Sequence, residues 1–232
     1  MCRTFLNYDI VCLNEVKTSL RVCLPGYVSF MSNNKTSPHR GGTVVMVKKN
    51  LAQSAVNVDT STVDQVWLQF RCVPGGVFGC CYVPPSDSLY FSHDSFASIQ
   101  DKILSNEGNN KYVIIGDCNS RFGNIVKELP ARAELPNCDE YSYPYIPDQV
   151  ERPNNNANVL ATMCTDLKLV VINNLRLRNP FFASKMSYKQ GNVWVSELDV
   201  CLVSSDMIDY VDEFEVNQKN SYLLTMLQLR YR

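Results

Sequence analysis

Short runs of β-branched, aliphatic and aromatic residues recur along the chain, and glycine, proline, asparagine and aspartate separate them. Runs with such boundaries are typical of β-strands, because branched and aromatic side chains fit a pleated, half-buried surface. The pattern predicts strands at 9–13, 28–31, 42–47, 66–72, 77–83, 112–115, 169–172, 193–196 and 199–203.

Two segments instead show the apolar spacing of helices, one beginning within residues 92–95 and one covering 157–167. Their inward-facing residues are predicted to be Phe96, Ile99, Ile103, Leu160, Met163, Cys164 and Leu167. Many strands with few helices predict a mixed α/β layered sandwich. The proline-containing stretch 123–156 is predicted to be a long surface loop, and loops of that length are usually functional or mobile.

The composition fits one large packed domain. Of the 232 residues, 45% are hydrophobic and 19% charged, which excludes a disordered chain. No apolar run approaches the ~20 residues that span a bilayer. Residues 1–5 lack the basic-then-apolar order of a secretion signal. We therefore expect an intracellular protein that is neither secreted nor bound to a membrane.

Cysteine usage and charge narrow the function classes. Cys12, Cys80, Cys81 and Cys201 lie in apolar runs and are predicted to be reduced core residues, and no cysteine spacing matches a structural zinc site. With 22 basic and 23 acidic residues, bulk charge does not favour coating DNA. An enzyme that holds a phosphodiester through a few placed groups and a metal stays open.

The most specific motif surrounds Asp117. A buried strand opens on Gly116 and delivers Asp117 and Asn119, followed by Arg121. Since side chains alternate along an extended chain, Asp117 and Asn119 can point into the same cleft. A carboxylate can accept a proton from water while an amide orients the attacked phosphate. A Gly-Asp turn is the alternative, although the whole string is far more specific than Gly-Asp alone.

Three further strands carry candidate groups. One ends at Glu15, whose hard oxygen atoms suit Mg²⁺, although a solvated glutamate is the alternative. Another ends at Tyr82, whose phenol can hydrogen-bond a phosphate oxygen or serve as amphipathic core. Asp199 lies in a strongly apolar strand and needs a partner there. The chain's two histidines, His39 and His93, lie in no persuasive catalytic context.

Five segments, taken in order, resemble the endonuclease/exonuclease/phosphatase family of apurinic endonucleases and deoxyribonuclease I. They are most similar to the endonuclease domains of non-LTR (LINE-type) retrotransposons. The segments are residues 9–15, 40–44, 82–88, 116–121 and 196–199. The resemblance implies a four-layered α/β sandwich of two mixed β-sheets flanked by helices. It also implies cleavage of a DNA phosphodiester that depends on Mg²⁺ or Mn²⁺.

The resemblance implies a role for each matching residue. Glu15 would hold the metal that neutralises charge on the scissile phosphate. Asp117 would activate or orient the attacking water, and Asp199 would orient a catalytic histidine. The implied substrate-binding residues are Asn119, Tyr82 and Arg121. An intact element of this kind carries a reverse transcriptase domain, and we expect a nuclear monomer.

The family pattern fails at both ends of the chain. The family's first strand, which carries an asparagine of the metal site, falls before Met1, and the closing Ser-Asp-His-Ala-Pro is absent. Catalytic residues that act as a unit fail together. We therefore expect residues 1–220 to form a single domain that is incomplete at both ends and inactive.

The tail offers a reason for the missing motif. If residues 221–228 are encoded by TCT TAC CTT CTG ACC ATG CTC CAG, the shifted frame reads Leu-Pro-Ser-Asp-His-Ala-Pro. We predict that residues 221–232 are an out-of-frame tail that replaces the last catalytic strand. The coding DNA contradicts this if the codon of Thr225 is not ACC or that of Leu224 does not end in G. A divergent but authentic strand is the alternative.

Two other functions stay open. A non-catalytic protein could keep the sandwich as a surface that binds nucleic acid or protein, although the near-neutral charge gives this little support. A phosphoesterase acting on phosphoinositides or another small phosphoester would share the fold. Against it, the strings at 116–121 and 196–199 resemble the retroelement branch more closely.

Overall fold

In the computed structural model, β-strands dominate the described part of the chain. The structure describes residues 8–16, 23–37, 41–106, 111–134, 142–143, 153–173, 175, 188–190, 193–196, 198–217 and 224–229. The strands are β1 (Ile10–Leu13), β2 (Tyr27–Met31), β3 (Val44–Lys48), β4 (Ala55–Asp59), β5 (Gln65–Phe70), β6 (Gly76–Tyr82), β7 (Lys111–Asp117), β8 (Leu169–Val171), β9 (Tyr188–Gln190), β10 (Val193–Ser196), β11 (Asp199–Ser204), β12 (Val211–Asn217) and β13 (Leu224–Leu229). The α-helices are α1 (Lys49–Ala52), α2 (Asp94–Leu104), α3 (Leu129–Arg132) and α4 (Asn155–Asp166).

The strands form two large sheets and a small pair. One sheet has the order β12-β13-β1-β3-β2, and its pairings are antiparallel. The other has the order β4-β5-β6-β7-β11-β8 and is mixed, because β6 and β7 are parallel. Strands β9 and β10 pair separately. The predicted sandwich of two sheets is confirmed, with one sheet mixed and the other antiparallel.

The core lies between the two large sheets and beneath the helices. One buried cluster joins Ile10 and Val45 of the five-stranded sheet to Ile115 and Leu202 of the six-stranded sheet. The same cluster includes Phe96, Ile99 and Ile103 of α2 and Leu160, Met163 and Cys164 of α4. The predicted inward faces of both helices are therefore confirmed, with Leu167 only partly buried just after α4. No helix among the described residues is long and apolar enough to cross a bilayer.

The predicted elements are largely present, and the differences have physical causes. All nine predicted strands occur, whereas β4, β9, β12 and β13 were not predicted. The prediction of a long surface loop over 123–156 is wrong at both ends, because α4 begins at Asn155 and the first part contains helical turns with Val126 and Leu129 buried. A 3₁₀ helix covers Gly123–Lys127, and α3 begins at Leu129 with Pro130 in its first turn, where proline is tolerated. Most of 135–152 lies outside the described residues.

The ion pair between Asp59 and Lys102 ties the edge strand β4 to α2. A hydrogen bond from Lys102, followed by two from Ser61, lowers the pKa of Asp59 to about 2. A carboxyl with a lowered folded-state pKa stabilises the fold above its unfolded value of ~3.9 and loses that contribution as the pH falls through its folded value. Asp59 and Lys102 are 28% and 32% exposed, so solvent screening reduces the gain.

We expect Asp59→Asn to lower the free energy of unfolding by about 0.5–1 kcal/mol at neutral pH, and by much less near pH 2, where about half of the Asp59 carboxyl groups are already protonated in the folded protein. Urea denaturation across this pH range measures the difference. Asp101→Asn is the matched control, since Asp101 is exposed on the same helix as Lys102. An equal loss in the control, or a loss at pH 2 as large as that at neutral pH, would contradict the prediction.

Candidate active site

Three of the predicted site residues lie at one end of three adjacent strands. Tyr82 ends β6, Asp117 ends β7 and Asp199 begins β11. Tyr82 is the register partner of Asp117 in the parallel pair, and Asp199 is its partner in the antiparallel pair. Because β11 runs against β7, its first residue meets the last residue of β7. The mixed sheet thus places a phenol and two carboxylates side by side.

Glu15 reaches this group from the other sheet. It follows β1, and its Oε1 accepts a hydrogen bond of 2.9 Å from the Tyr82 hydroxyl. The backbone of Glu15 is left-handed, with φ of 53°. Its side chain is exposed, whereas Tyr82 is buried. The Glu15–Tyr82 hydrogen bond therefore joins the two sheets. The region around Glu15, Tyr82, Asp117 and Asp199 is called the cleft below.

Asn119 lies in the turn that follows β7. Its backbone is also left-handed, with φ of 48°, which asparagine tolerates better than most residues. Its backbone N–H donates to Asp117 Oδ1 at 3.0 Å, and its side-chain Nδ2 donates to the carbonyl oxygen of Val83 at 2.9 Å. Asn119 thus connects the segment after β7 to the segment after β6.

Three acidic side chains, those of Glu15, Asp117 and Asp199, lie near one another in the cleft. Burial raises the pKa of the Asp117 carboxyl well above its usual range, and the nearby Asp199 and Glu15 carboxylates raise it further. The Asn119 N–H opposes this shift by hydrogen-bonding the charged form. Burial and then Glu15 raise the pKa of the Tyr82 phenol, so it remains a hydrogen-bond donor. The cleft is therefore suited to a ligand that carries positive charge into it.

We expect Asp117→Asn to stabilise the metal-free protein at neutral pH by about 1 kcal/mol. A carboxyl with a raised folded-state pKa makes the folded protein bind more protons than the unfolded chain, so stability falls as the pH rises above ~3.9. The amide removes that loss. Urea denaturation in EDTA should show a gain at pH 7.5 that disappears near pH 4. Asp206→Asn, at an exposed aspartate, is the control, and a gain independent of pH would contradict the explanation.

The donor chemistry fits a hard divalent cation, and Glu15 is the candidate ligand. Among the described residues, no three His, Cys, Asp or Glu side chains are close enough to share one metal ion. Mg²⁺ commonly keeps several waters and needs only one or two carboxylates in phosphate-processing sites. Glu15 is an exposed carboxylate that lies near the carboxyl group of Asp117. The residues present therefore fit a metal held mostly by water and substrate.

The remaining predicted residues are only partly joined to this group. Asp199 is fully buried opposite Asp117. Arg121 is half-buried and contacts Asn154 through its backbone, and no described contact links its guanidinium to the carboxylates. His93 packs edge-on against Phe91, with ring centroids 5.0 Å apart. His39 and Glu197 lie outside the described residues. The assigned catalytic and binding roles stay predictions.

Sequence reasoning missed Asp64, a buried carboxylate that supports the cleft. Its Oδ1 accepts from the Gly42 N–H at 2.6 Å, and its Oδ2 accepts from the Thr36 N–H at 2.9 Å and from the Thr36 hydroxyl. Its own carbonyl oxygen accepts from the Thr43 hydroxyl at 2.8 Å and from the Tyr82 N–H at 3.0 Å. Asp64 therefore binds both sheets. The one available signal in the sequence was the Gly41-Gly42 pair, because a loop with two glycines needs hydrogen bonds from elsewhere in the chain to hold its shape.

The buried cysteines form part of the packing beside the cleft. Cys81 and Cys118, which adjoin Tyr82 and Asp117, have Sγ atoms 3.8 Å apart. The predicted core positions Cys12, Cys80, Cys81 and Cys201 are all buried as free thiols. Burial raises the pKa of Cys201 well above its usual value, so its thiol remains neutral. These thiols serve as small apolar groups.

The backbone matches that of the AP endonuclease LMAP from Leishmania major, with a TM-score of 0.59 over 97% of this chain and 79% of that one. The chain has an AP-endonuclease-like fold. The two sequences are 12% identical, so the likeness concerns the fold and leaves the activity to be argued from the site. No protein-family model and no curated protein matches this sequence.

Proposed function

We propose that this chain is a nuclease domain that binds DNA and is built for hydrolysis of a phosphodiester with a divalent cation. The observation that carries the proposal is the Glu15–Tyr82 hydrogen bond between the two sheets, directly beside Asp117. It places an exposed carboxylate, a phenolic donor and a buried carboxylate at one cleft of an AP-endonuclease-like fold. We also propose that the chain descends from a non-LTR retrotransposon, because its five sequence motifs resemble the endonuclease domains of such elements.

Each group has a distinct part in the proposed reaction. Glu15 would hold the cation, which supplies charge neutralisation at the phosphate when bound. The single O–H of Tyr82, which donates to Glu15 in the structure, would turn to a phosphate oxygen when substrate binds, and the second Nδ2 hydrogen of Asn119 would donate to a phosphate oxygen as well. Asp117 would orient the attacking water and accept its proton, and Arg121 would contact the substrate backbone. Asp199, buried beside Asp117, would orient an imidazole.

We further propose that the chain as written does not complete this reaction. The closing Ser-Asp-His-Ala-Pro is absent from the chain, and the shifted frame of residues 221–228 would encode it if their codons are those given above; in the structure Leu224–Leu229 forms β13. In an intact element the domain would act as a monomer on nuclear DNA, beside a reverse transcriptase. The nucleotide sequence across residues 218–228 tests the shifted frame directly.

Nicking of supercoiled plasmid with Mg²⁺, and with EDTA in its place, tests the function. We compare the chain with a restored version, in which Leu-Pro-Ser-Asp-His-Ala-Pro replaces residues 221–227. The restored chain should nick only with Mg²⁺, the original should stay at background, and Asp117→Asn should abolish nicking by the restored chain. Asp206→Asn is the matched control.

Two results would overturn parts of the proposal. A restored chain that has the circular dichroism of the original and fails to nick would reject the nuclease function. If the original chain nicks plasmid and Asp117→Asn abolishes that activity, the claim of inactivity is wrong, and another residue takes the place of the missing histidine.

A further inference from the structure

The first turn of α4 contacts both loops that leave the cleft strands. Asn154 is the N-cap of α4, and its Oδ1 accepts from the Ala157 N–H at 3.0 Å. The same oxygen accepts from the Arg121 N–H at 3.0 Å, and Nδ2 donates to the carbonyl oxygen of Asn119 at 2.7 Å. The Asn154 N–H also donates to the Arg121 carbonyl oxygen at 3.2 Å. One residue thus binds the backbone on both sides of Ser120.

Asn156 makes a second bridge from the same turn. Its side chain is fully buried, and Nδ2 donates to the carbonyl oxygens of Pro84 and Cys118, each at 3.0 Å. Pro84 follows the Tyr82 strand, and Cys118 follows the Asp117 strand. The Oδ1 of Asn156 is buried and has no hydrogen-bond partner among the described residues. An unpaired buried acceptor is destabilising, so packing alone does not explain an asparagine here.

The contacts explain how a strained turn keeps its shape. Asn119 has a left-handed backbone, a conformation that other bonds must hold. Its carbonyl oxygen is held by Asn154, its N–H by Asp117 and its side chain by Val83. Without the Asn154 side chain, the carbonyl oxygen of Asn119 loses its hydrogen bond to α4. The other two bonds of Asn119 come from the ends of β6 and β7.

We propose that Asn154 and Asn156 are positioning residues, which fix the spacing between Tyr82 and Asn119 so that both can bind one phosphodiester of a DNA backbone. This rests on the proposed function. The two asparagines act through backbone carbonyls and N–H groups and do not touch the substrate themselves. We call the hydrogen bonds from Asn154 and Asn156 to the two loops the clamp. Breaking one of these bonds should weaken DNA binding without a loss of fold.

Asn154→Asp opens the clamp selectively. The aspartate keeps an oxygen acceptor for Arg121 and Ala157 and is a strong N-cap, so α4 retains its start. It replaces the donor to Asn119 with a second oxygen, which faces a carbonyl oxygen. Asn155→Asp is the matched control, because Asn155 is exposed and the same charge is added to the same helix turn. Asn154→Ser is a second variant that can cap α4 and lacks the amide donor.

Two readouts separate the clamp from the function. Amide hydrogen exchange of Asn119, followed by NMR, reports the turn, and should accelerate about tenfold in Asn154→Asp and Asn154→Ser, as expected for one lost hydrogen bond. Fluorescence anisotropy with a short labelled DNA duplex and Ca²⁺ reports substrate binding, and the Kd should rise about tenfold in the same variants. Melting temperatures should change little, and Asn155→Asp should match the original chain in both assays.

The outcomes are distinguishable. Unchanged Asn119 exchange in both Asn154 variants overturns the clamp, whatever the DNA result. Faster exchange with unchanged affinity overturns the positioning role. Equal effects in Asn155→Asp assign the change to charge at the helix start and also overturn it. If the original chain binds no duplex while Asn119 exchange accelerates as expected, the proposed function fails and the mechanical clamp stands.

Discussion

Gly116→Ala should lower the free energy of unfolding by about 3 kcal/mol or more. Gly116 is the register partner of Cys81 where β6 and β7 run parallel. A methyl group on Gly116 would overlap the carbonyl oxygen of Cys81 and lie 2.8 Å from its carbonyl carbon and 3.0 Å from its nitrogen. Backbone atoms cannot rotate away as a side-chain tip can, so the two strands must separate. The separation falls one residue before Tyr82 and Asp117.

Urea denaturation followed by circular dichroism measures this loss. Ile115→Val is the matched control, because it changes the neighbouring core residue by one methylene and should cost about 0.5–1.5 kcal/mol. An effect of Gly116→Ala no larger than that of the control would show that the strands tolerate the methyl group. Any DNA binding by the original chain should weaken with Gly116→Ala, since Tyr82 and Asp117 would shift relative to each other.

Asp64→Asn should lower the free energy of unfolding by about 2–3 kcal/mol. The two carboxylate oxygens accept from Gly42 on one side and from Thr36 on the other. An amide has one acceptor oxygen, so its NH₂ group must face a backbone N–H on one side. The lost bonds are charge-assisted and buried, which makes them costly to remove.

Asp64→Asn should also disturb the geometry of the cleft. Gly42 accepts a backbone hydrogen bond from the N–H of Val16, the residue after Glu15. If Gly42 moves, Glu15 loses its alignment with Tyr82. The control is Asp87→Asn, at an exposed aspartate, which should change stability by less than about 0.5 kcal/mol. Equal urea midpoints for Asp64→Asn and the original chain would contradict the anchoring role.

The strands that carry the cleft could be predicted because each is a continuous apolar run that stops at a polar residue. The pattern predicts strand ends at Tyr82 and Asp117 in this way, whereas for Asp199 it predicts a position in a strongly apolar strand. Their adjacency follows from the pairing of β7 with both β6 and β11, which the hydrophobic pattern alone does not determine. The contact between Glu15 and Tyr82 depends on how two sheets pack, and no local pattern records that.

Two of the four strands that were not predicted, β4 and β12, are irregular in their pairing. Both β4 and β12 contain a register shift, between Ala55 and Asn57 and between Val211 and Glu213, and such bulges interrupt the period of two. Asp64, Asn154 and Asn156 lie in polar segments whose composition reads as a loop. Their importance comes from hydrogen bonds to distant backbone groups, which sequence spacing cannot show.

The left-handed backbone of Glu15 and Asn119 also leaves an evolutionary signature. Glycine adopts that conformation at lower cost, by roughly 1 kcal/mol, so replacing either residue with glycine relieves strain while deleting a side chain of the cleft. Glu134 and Lys168 have the same backbone strain with no contact to the cleft residues described above. If the proposed retrotransposon origin holds, copies that have drifted without purifying selection should gain glycine equally at Glu15 and Glu134, whose codons are one base from glycine, and equally but more slowly at Asn119 and Lys168, whose codons are two bases away. Copies selected for cleavage should gain glycine only at positions 134 and 168. Glycine at position 15 or 119 therefore marks a copy that is no longer selected for cleavage.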